Sequence, residues 1–209
     1  MIDKKIVIID YWMWNTGSIL NIVKKVWWTA TITSDKDIIN QADKIILPGV
    51  WKFDKWMENI ENLWLVEILK KKVIEEETPI LWICLWFQLF WTSSQEWLKN
   101  WLNWLNAKSV LFDKRKLDEK MKVPHMWWNY VQYKKKSKLT QNISDTPRYY
   151  FVHSYHMICE DQADILGETM YWYNFVSSIN KWNIYWTQFH PEKSHKFWME
   201  LFSNFVNNI

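Results

Sequence analysis

Glycine is nearly missing from this chain, and glycine is the residue on which sharp chain reversals depend. The 209 residues include Gly 3 and Trp 19, whereas ordinary usage of about 7% would supply roughly 15 glycines. A residue with a Cβ is destabilised by about 1–2 kcal/mol in the left-handed region that glycine enters freely. A chain so short of glycine must therefore avoid such turns or strain at them. The tryptophans stand where the turns are expected. Trp27-Trp28 separates a helical pattern over residues 18–26 from a strand-like run over 29–33, the place where a helix normally stops on a left-handed glycine. Trp12 and Trp14 flank Met13 after the first strand, Trp51 follows Pro48-Gly49-Val50, and Trp182 sits between two strand patterns. No stripe at period 2 or 3.6 links them, as it would on a carbohydrate- or membrane-binding face. We read most of them as glycine codons, UGA being the candidate, rendered as tryptophan. Several strained sites together exceed the stability of an ordinary domain, so a polypeptide made letter for letter is expected to fold poorly.

Other bulk properties are unremarkable and mainly exclude. Lys+Arg 26 against Asp+Glu 23 leaves a formal charge of +3 without a long block of one sign, too little for a nucleic-acid footprint. Hydrophobic content of 49% with 23% charged residues fits a globular protein. Apolar runs stay below the roughly 18 residues of a membrane span, and the N-terminus lacks the pattern of a signal peptide. Cys84 and Cys159 are too few for a disulfide scaffold, which points to a reducing, cytoplasmic compartment. Length and the absence of linkers or repeats predict one domain over 1–209. Lys70-Lys71-Lys72 and Lys134-Lys135-Lys136 are expected on solvated faces.

Short β-rich runs alternate with amphipathic ones. Strands are predicted over 6–9, 29–33, 44–47 and 80–83, with helices over 18–26 and 57–72 between them. That order is β-α-β-β-α-β, an alternation that implies a parallel sheet with crossover helices. The second half is richer in strands, over 109–112, 129–133, 149–153, 175–179 and 184–188, and a last helix is predicted over 192–207. The fold class is α/β, a mostly parallel central sheet with flanking helices and a strand-rich second half.

Cys84 falls directly after the buried run Ile80-Leu81-Trp82-Ile83 and before a helical pattern. A strand-turn-helix elbow presents a nucleophile at such a point, and a helix N-terminus lowers the thiol pKa. Small residues are needed two places to either side, where Trp82 and Trp86 stand; restoring glycine gives G-x-C-x-G. Alone this is weak, because a buried cysteine is usually a core filler. Near the end of the chain, Gln188-Phe189-His190-Pro191-Glu192 follows another strand. In extended backbone His190 and Glu192 share a face, as a base and its orienting carboxylate do. Cys84, His190 and Glu192 thus form a candidate triad.

Six motifs together go further. Asp10-Tyr11-Trp12-Met13-Trp14-Asn15, Leu47-Pro48-Gly49-Val50-Trp51, the Cys84 elbow, Lys122-Val123-Pro124-His125-Met126-Trp127-Trp128-Asn129, Phe151-Val152-His153-Ser154-Tyr155 and Gln188-Phe189-His190-Pro191-Glu192-Lys193-Ser194 occur in this order. Along essentially its whole length the chain resembles the class I glutamine amidotransferases that serve as the glutaminase subunit of imidazole glycerol phosphate synthase. The departures run one way, with tryptophan where that family has glycine: Trp12, Trp14, Trp51, Trp56, Trp82, Trp86, Trp97, Trp104, Trp127 and Trp186. Trp128 is an exception, since the family itself carries tryptophan there.

The resemblance implies a glutaminase in which Cys84 attacks the side-chain amide of glutamine, His190 is acid and base, and Glu192 orients it. It implies oxyanion donors on the backbone near Val50, Trp51 and Leu85, and glutamine-holding roles for Gln88, His153, Ser154 and Tyr155. It further implies a heterodimer that channels ammonia into a synthase/cyclase subunit in histidine biosynthesis, docked through Asn15, Met126, Trp128, Asn129 and Lys193. The segment His125-Met126-Trp127-Trp128 reads as an exposed aromatic surface suited to such a partner. No cofactor and no metal are expected, for the chain has neither metal-ligand spacing nor a phosphate loop. A nucleic-acid or membrane partner is not expected either. A sister group of glutaminases feeding sugar amidation in surface-polysaccharide synthesis is the alternative, suggested by Asn15-Thr16-Gly17-Ser18 and Ser194-His195-Lys196-Phe197. A non-catalytic Trp-rich binding module is the second alternative. His156, His195 and Cys159 receive no role.

Overall fold

The computed structural model describes residues 4–12, 16–49, 59–60, 62–84, 93–94, 104–113, 122–190 and 195–209. Four strands form its parallel first half: β1 (Ile6–Ile9), β2 (Ala30–Thr33), β3 (Lys44–Pro48) and β4 (Ile80–Ile83). β1, β3 and β4 are buried along their whole length, which is why they read as continuous apolar runs rather than alternating ones. The remaining strands are β5 (Ser93–Ser94), β6 (Ala107–Leu111), β7 (His125–Tyr130), β8 (Gln132–Tyr133), β9 (Arg148–His153), β10 (Tyr155–Cys159), β11 (Ile165–Tyr171), β12 (Tyr173–Lys181) and β13 (Ile184–Thr187). Among the described residues the main sheet runs β2-β1-β3-β4-β13-β12-β10-β6-β5, with β11 pairing β12 and β8, while β7 and β9 form a separate antiparallel pair. β13 returns to lie parallel beside β4, matching Ile184 with Ile80 and Thr187 with Ile83. This pairing brings the late part of the chain to the end of β4.

The sheet separates two apolar layers, and the pleat decides which residue joins which. Val7, Ile9, Ile45, Leu47, Ile80 and Trp82 point to one layer, with Leu65, Leu69 and Val73 packed there. Ile6, Ile8, Ile46, Leu81 and Ile83 point to the other, against Ile19, Val23, Trp198, Leu201 and Phe205. The period of two that alternates faces along a strand is thus explicit. Helix α1 (Thr16–Lys25) buries Ile19 and Val23, while α2 (Lys36–Asn40) starts on Asp35, whose side chain accepts from the backbone N–H groups of Asp37 and Ile38. Helix α3 is Leu65–Lys70 and α4 is His195–Asn208. Lys44 is buried because its Nζ donates to the carbonyls of Phe205 and Val206, at 2.8 and 2.7 Å, satisfying the C-terminal turn of α4.

Three expectations require correction. The strand expected over 129–133 breaks at Val131, its first residues ending β7 in the separate pair and its last forming β8 in the main sheet. The helix expected over 57–72 is broken: residues 63–64 turn, Trp64 adopts φ 55°, and α3 begins only at Leu65 before widening into a π-helical turn over Lys71–Glu75. Apolar periodicity runs through the break and conceals it. Lys72 is not on a solvated face; it is buried, with its Nζ 2.6 Å from Glu76 Oε2.

Eight described residues other than glycine have positive φ: Trp12, Trp27, Trp64, Glu77, Cys84, Asn142, Trp172 and Trp182. Five are tryptophans, among them Trp12, Trp27 and Trp182, which the sequence places at turns; Trp28, placed at the same turn as Trp27, is not left-handed. Gly167 shows the other use of glycine, close approach. A Cβ there would meet Ser178 Oγ at 2.7 Å and Val131 Cγ1 at 2.9 Å.

Candidate active site

Cys84 is the first residue beyond β4 and takes φ 58°. Its backbone N–H donates to Thr187 O at 2.7 Å, tying the elbow to the end of β13. Three residues past Thr187 comes His190, held at both backbone groups. Its N–H donates to Tyr150 O of β9 at 2.9 Å, and its carbonyl accepts from Trp198 Nε1 of α4 at 2.6 Å. Phe189, between, stacks on Tyr149 at 4.0 Å between ring centroids. These fastenings place the imidazole against the thiol. Cys84 Sγ lies 2.8 Å from His190 Nε2, across 106 positions of sequence. Both side chains are largely buried, at 7% exposure each, so the contact is shielded from bulk water and electrostatically strong. A thiol in hydrogen-bond contact with an imidazole can pass it a proton and act as a nucleophile.

The end of β3 is anchored next to the elbow, Pro48 being the register partner of Ile83. Tyr11, fully buried, donates its hydroxyl to Pro48 O, and Asn59 Nδ2 donates to Tyr11 O at 2.9 Å. Val50, Trp51, Leu85, Gln88 and Glu192, and with them Asn15 and Lys193, lie outside the described residues. His153 ends β9, and Ser154 and Tyr155 form the half-buried corner into β10. Ser154 O accepts from Phe112 N at 3.0 Å.

On β7 the sequence expectation divides. Met126 and Trp127 are exposed, but His125, expected on the same exposed surface, is fully buried. His125 leaves that surface because its ring is stacked between Phe151 and Tyr171. Trp128 is half-buried beneath the guanidinium of Arg148, 5.6 Å from the ring centroid. Asn129 donates to Met170 O at 2.8 Å.

Cys159, the second free cysteine, is buried and its thiol is pushed up to about 12 by that burial. It is inert as a nucleophile at neutral pH. Sequence reasoning gave no role to Tyr11, although it lies within the first motif, and missed Tyr150 and Trp198, whose contacts to His190 run through backbone groups and so leave no motif of their own.

The family profile of glutamine amidotransferase class-I matches residues 9–209. The chain belongs to this family. As a class-I glutamine amidotransferase it has close relatives among curated proteins. It is 51% identical over 201 residues to imidazole glycerol phosphate synthase subunit HisH 2 of Methanococcus maripaludis, covering 96% of this chain and 98% of that one. It is 40% identical over 204 residues to the subunit HisH 2 of Pseudomonas aeruginosa, covering 98% and 100%. Solved structures share the fold at low identity. PurLQS from Thermotoga maritima aligns with TM-score 0.66 at 13% identity, over 99% of each chain. A glutamine amidotransferase of the same organism aligns with TM-score 0.63 at 14% identity, over 100% of this chain and 86% of that one. The amidotransferase fold expected from the sequence is therefore present.

Proposed function

We propose that this class-I glutamine amidotransferase is the glutaminase subunit of an imidazole glycerol phosphate synthase. It hydrolyses glutamine to glutamate and ammonia and passes the ammonia to a synthase/cyclase subunit in histidine biosynthesis. The observation that carries the reading is the 2.8 Å contact between Cys84 Sγ and His190 Nε2 at a left-handed elbow. His190 takes the thiol proton, and the sulfur attacks the side-chain amide carbon of glutamine. The tetrahedral oxyanion is received by backbone N–H groups near Val50, Trp51 and Leu85. When it collapses, the C–N bond breaks, His190 returns its proton to the nitrogen, and ammonia leaves behind a glutamyl thioester. Water, deprotonated by the same imidazole, then releases glutamate and regenerates the thiol. Glu192 holds the imidazole in the required tautomer. Gln88, His153, Ser154 and Tyr155 hold the substrate, while Asn15, Met126, Trp128, Asn129 and Lys193 face the partner. The names borne by the Methanococcus and Pseudomonas relatives support the choice of acceptor subunit. A reducing cytoplasm suits an enzyme whose Cys84 must stay a thiol.

The test uses the two-subunit complex. A Cys84→Ala variant is expected to lose glutamine-dependent synthesis by three or more orders of magnitude, on the order of the loss when a catalytic nucleophile is removed. Synthesis from added ammonia continues unchanged. Retained glutamine use in that variant refutes the mechanism; glutamine hydrolysis that never feeds the cyclase refutes the choice of partner.

A further inference from the structure

Two buried histidines take no part in the proton transfers above. His125 on β7 and His153 on β9 are register partners, and His125 Nδ1 lies 3.0 Å from His153 Nε2. His153 Nδ1 lies 2.7 Å from Tyr155 O. A carbonyl only accepts, so the proton of His153 sits on Nδ1 and its Nε2 offers a lone pair; His125 Nδ1 must then be the donor. The protonation order follows without further choice: His125 Nδ1–H to His153 Nε2, and His153 Nδ1–H to Tyr155 O. Packing holds both rings in place. His125 stacks on Tyr171 at 3.8 Å and on Phe151 at 4.9 Å, and Phe112 and Phe175 close over His153 at 5.2 and 5.1 Å. Burial brings His125 down to about 3 and holds His153 well below the usual histidine range, so both rings are uncharged at neutral pH.

This chain of hydrogen bonds ends on the corner of the proposed substrate-holding residues, Ser154 and Tyr155. The strand that bears His153 also supplies the Tyr150 carbonyl that fixes His190. We propose that His125 is a positioning residue for glutamine. Through His153 it holds the 153–155 corner in the shape that grips the substrate. This role rests on the glutaminase reading.

Two variants separate it from simple packing, both assayed in the complex with the synthase subunit. His125→Phe keeps an aromatic ring and removes the donor; His125→Asn places an amide N–H near the position of Nδ1. The Phe variant is expected to raise KM for glutamine about tenfold, the effect of one lost hydrogen bond, with kcat and ammonia-dependent synthesis nearly unchanged. The Asn variant restores most of that loss. Nitrogen-15 spectra of the wild type are expected to show His153 protonated at Nδ1 and bare at Nε2, a readout independent of any variant's folding. An unchanged KM in His125→Phe, equal impairment in both variants, or a proton on His153 Nε2 overturns the role. A wild-type complex that cannot use glutamine overturns the glutaminase reading and this role with it, whereas an active wild type matched by His125→Phe overturns only the latter.

Discussion

Trp27 is 94% exposed and holds φ 67°, so its indole gains nothing from packing that could offset the backbone conformation. Trp12, Trp64 and Trp182 are likewise exposed and left-handed. Cys84 shares the conformation for a reason: an elbow presents its side chain by straining its backbone. Asn142 belongs to a residue type that tolerates it. Trp182 carries the Lys181 ammonium over its ring and Trp172 meets Tyr171 edge-on, contacts worth about 0.5–1.5 kcal/mol, whereas Trp12, Trp27 and Trp64 project into solvent; glycine is the residue the geometry suits. In a polypeptide made letter for letter, Trp12→Gly, Trp27→Gly and Trp64→Gly are each expected to stabilise by about 1 kcal/mol, the difference in left-handed cost, and Trp172→Gly and Trp182→Gly by less. Urea melts measure it. Trp198→Gly is the control; it empties a buried site and is expected to cost roughly 3–5 kcal/mol. Mass spectra of the natural peptides should then carry glycine at the left-handed positions, and tryptophan at 82 and 86 would count decisively against the glycine assignment. Trp12, Trp27 and Trp182 were legible as turns because polar or periodic boundaries flank them. Trp172 was not, since it lies between Tyr171 and Tyr173, which pair across the β11–β12 hairpin and look like uninterrupted strand.

The strands of the parallel half were legible because β1, β3 and β4 are fully buried, and α1 because it carries a one-sided apolar pattern, whereas α2, five residues long and with Ile39 its buried residue, was not read. β10 went unread: His156 and Met157 are both buried although adjacent, which erases the alternation that marks a strand. β11 is masked in another way, by register shifts around Gly167. The elbow and the His190 segment were found from residue type and neighbouring strands, but the helix that fixes His190 was found only as an apolar pattern. Trp198 on α4 joins that pattern to the site by donating to His190 O. Trp198→Phe preserves most of the apolar contact and leaves a buried carbonyl without its donor. Stability is expected to fall by about 1–3 kcal/mol. Turnover with glutamine should fall about tenfold or more, because small misplacements of a catalytic base are costly, while KM changes little. A variant that melts lower but turns over normally would show that α4 supports the fold and not the base.

Cys84 and His190 meet because β13 closes on β4 late in the chain, so forming the site and completing the main sheet are one event. Buried titratable groups elsewhere in the fold set the pH dependence of its stability. His125 and His153 have folded pKa values below their unfolded ones, from burial. Below about pH 6.5 the unfolded chain therefore binds more protons, and stability falls as pH drops, for His125 on down to about 3. Lys44, lowered to about 7 chiefly by burial, acts in the same direction at higher pH: stability rises from there toward the unfolded lysine value near 10.4. Tyr133 and Tyr149 have folded values raised by burial, so above the free tyrosine value of about 10 the unfolded chain loses protons first and stability falls. The three effects place the maximum on the alkaline side of neutrality, at about pH 10, where the Lys44 gain is nearly complete and the tyrosine loss begins. Denaturant midpoints from pH 4 to 11 test this, and His125→Phe supplies the internal check. Replacing one buried neutral histidine should remove about 1.4 kcal/mol per pH unit from the acid slope over the window where that ring stays neutral in the fold and protonates when unfolded. A maximum at or below pH 6, or parallel acid limbs for the two proteins, would show that the imidazole pair accepts protons without unfolding and is open to water.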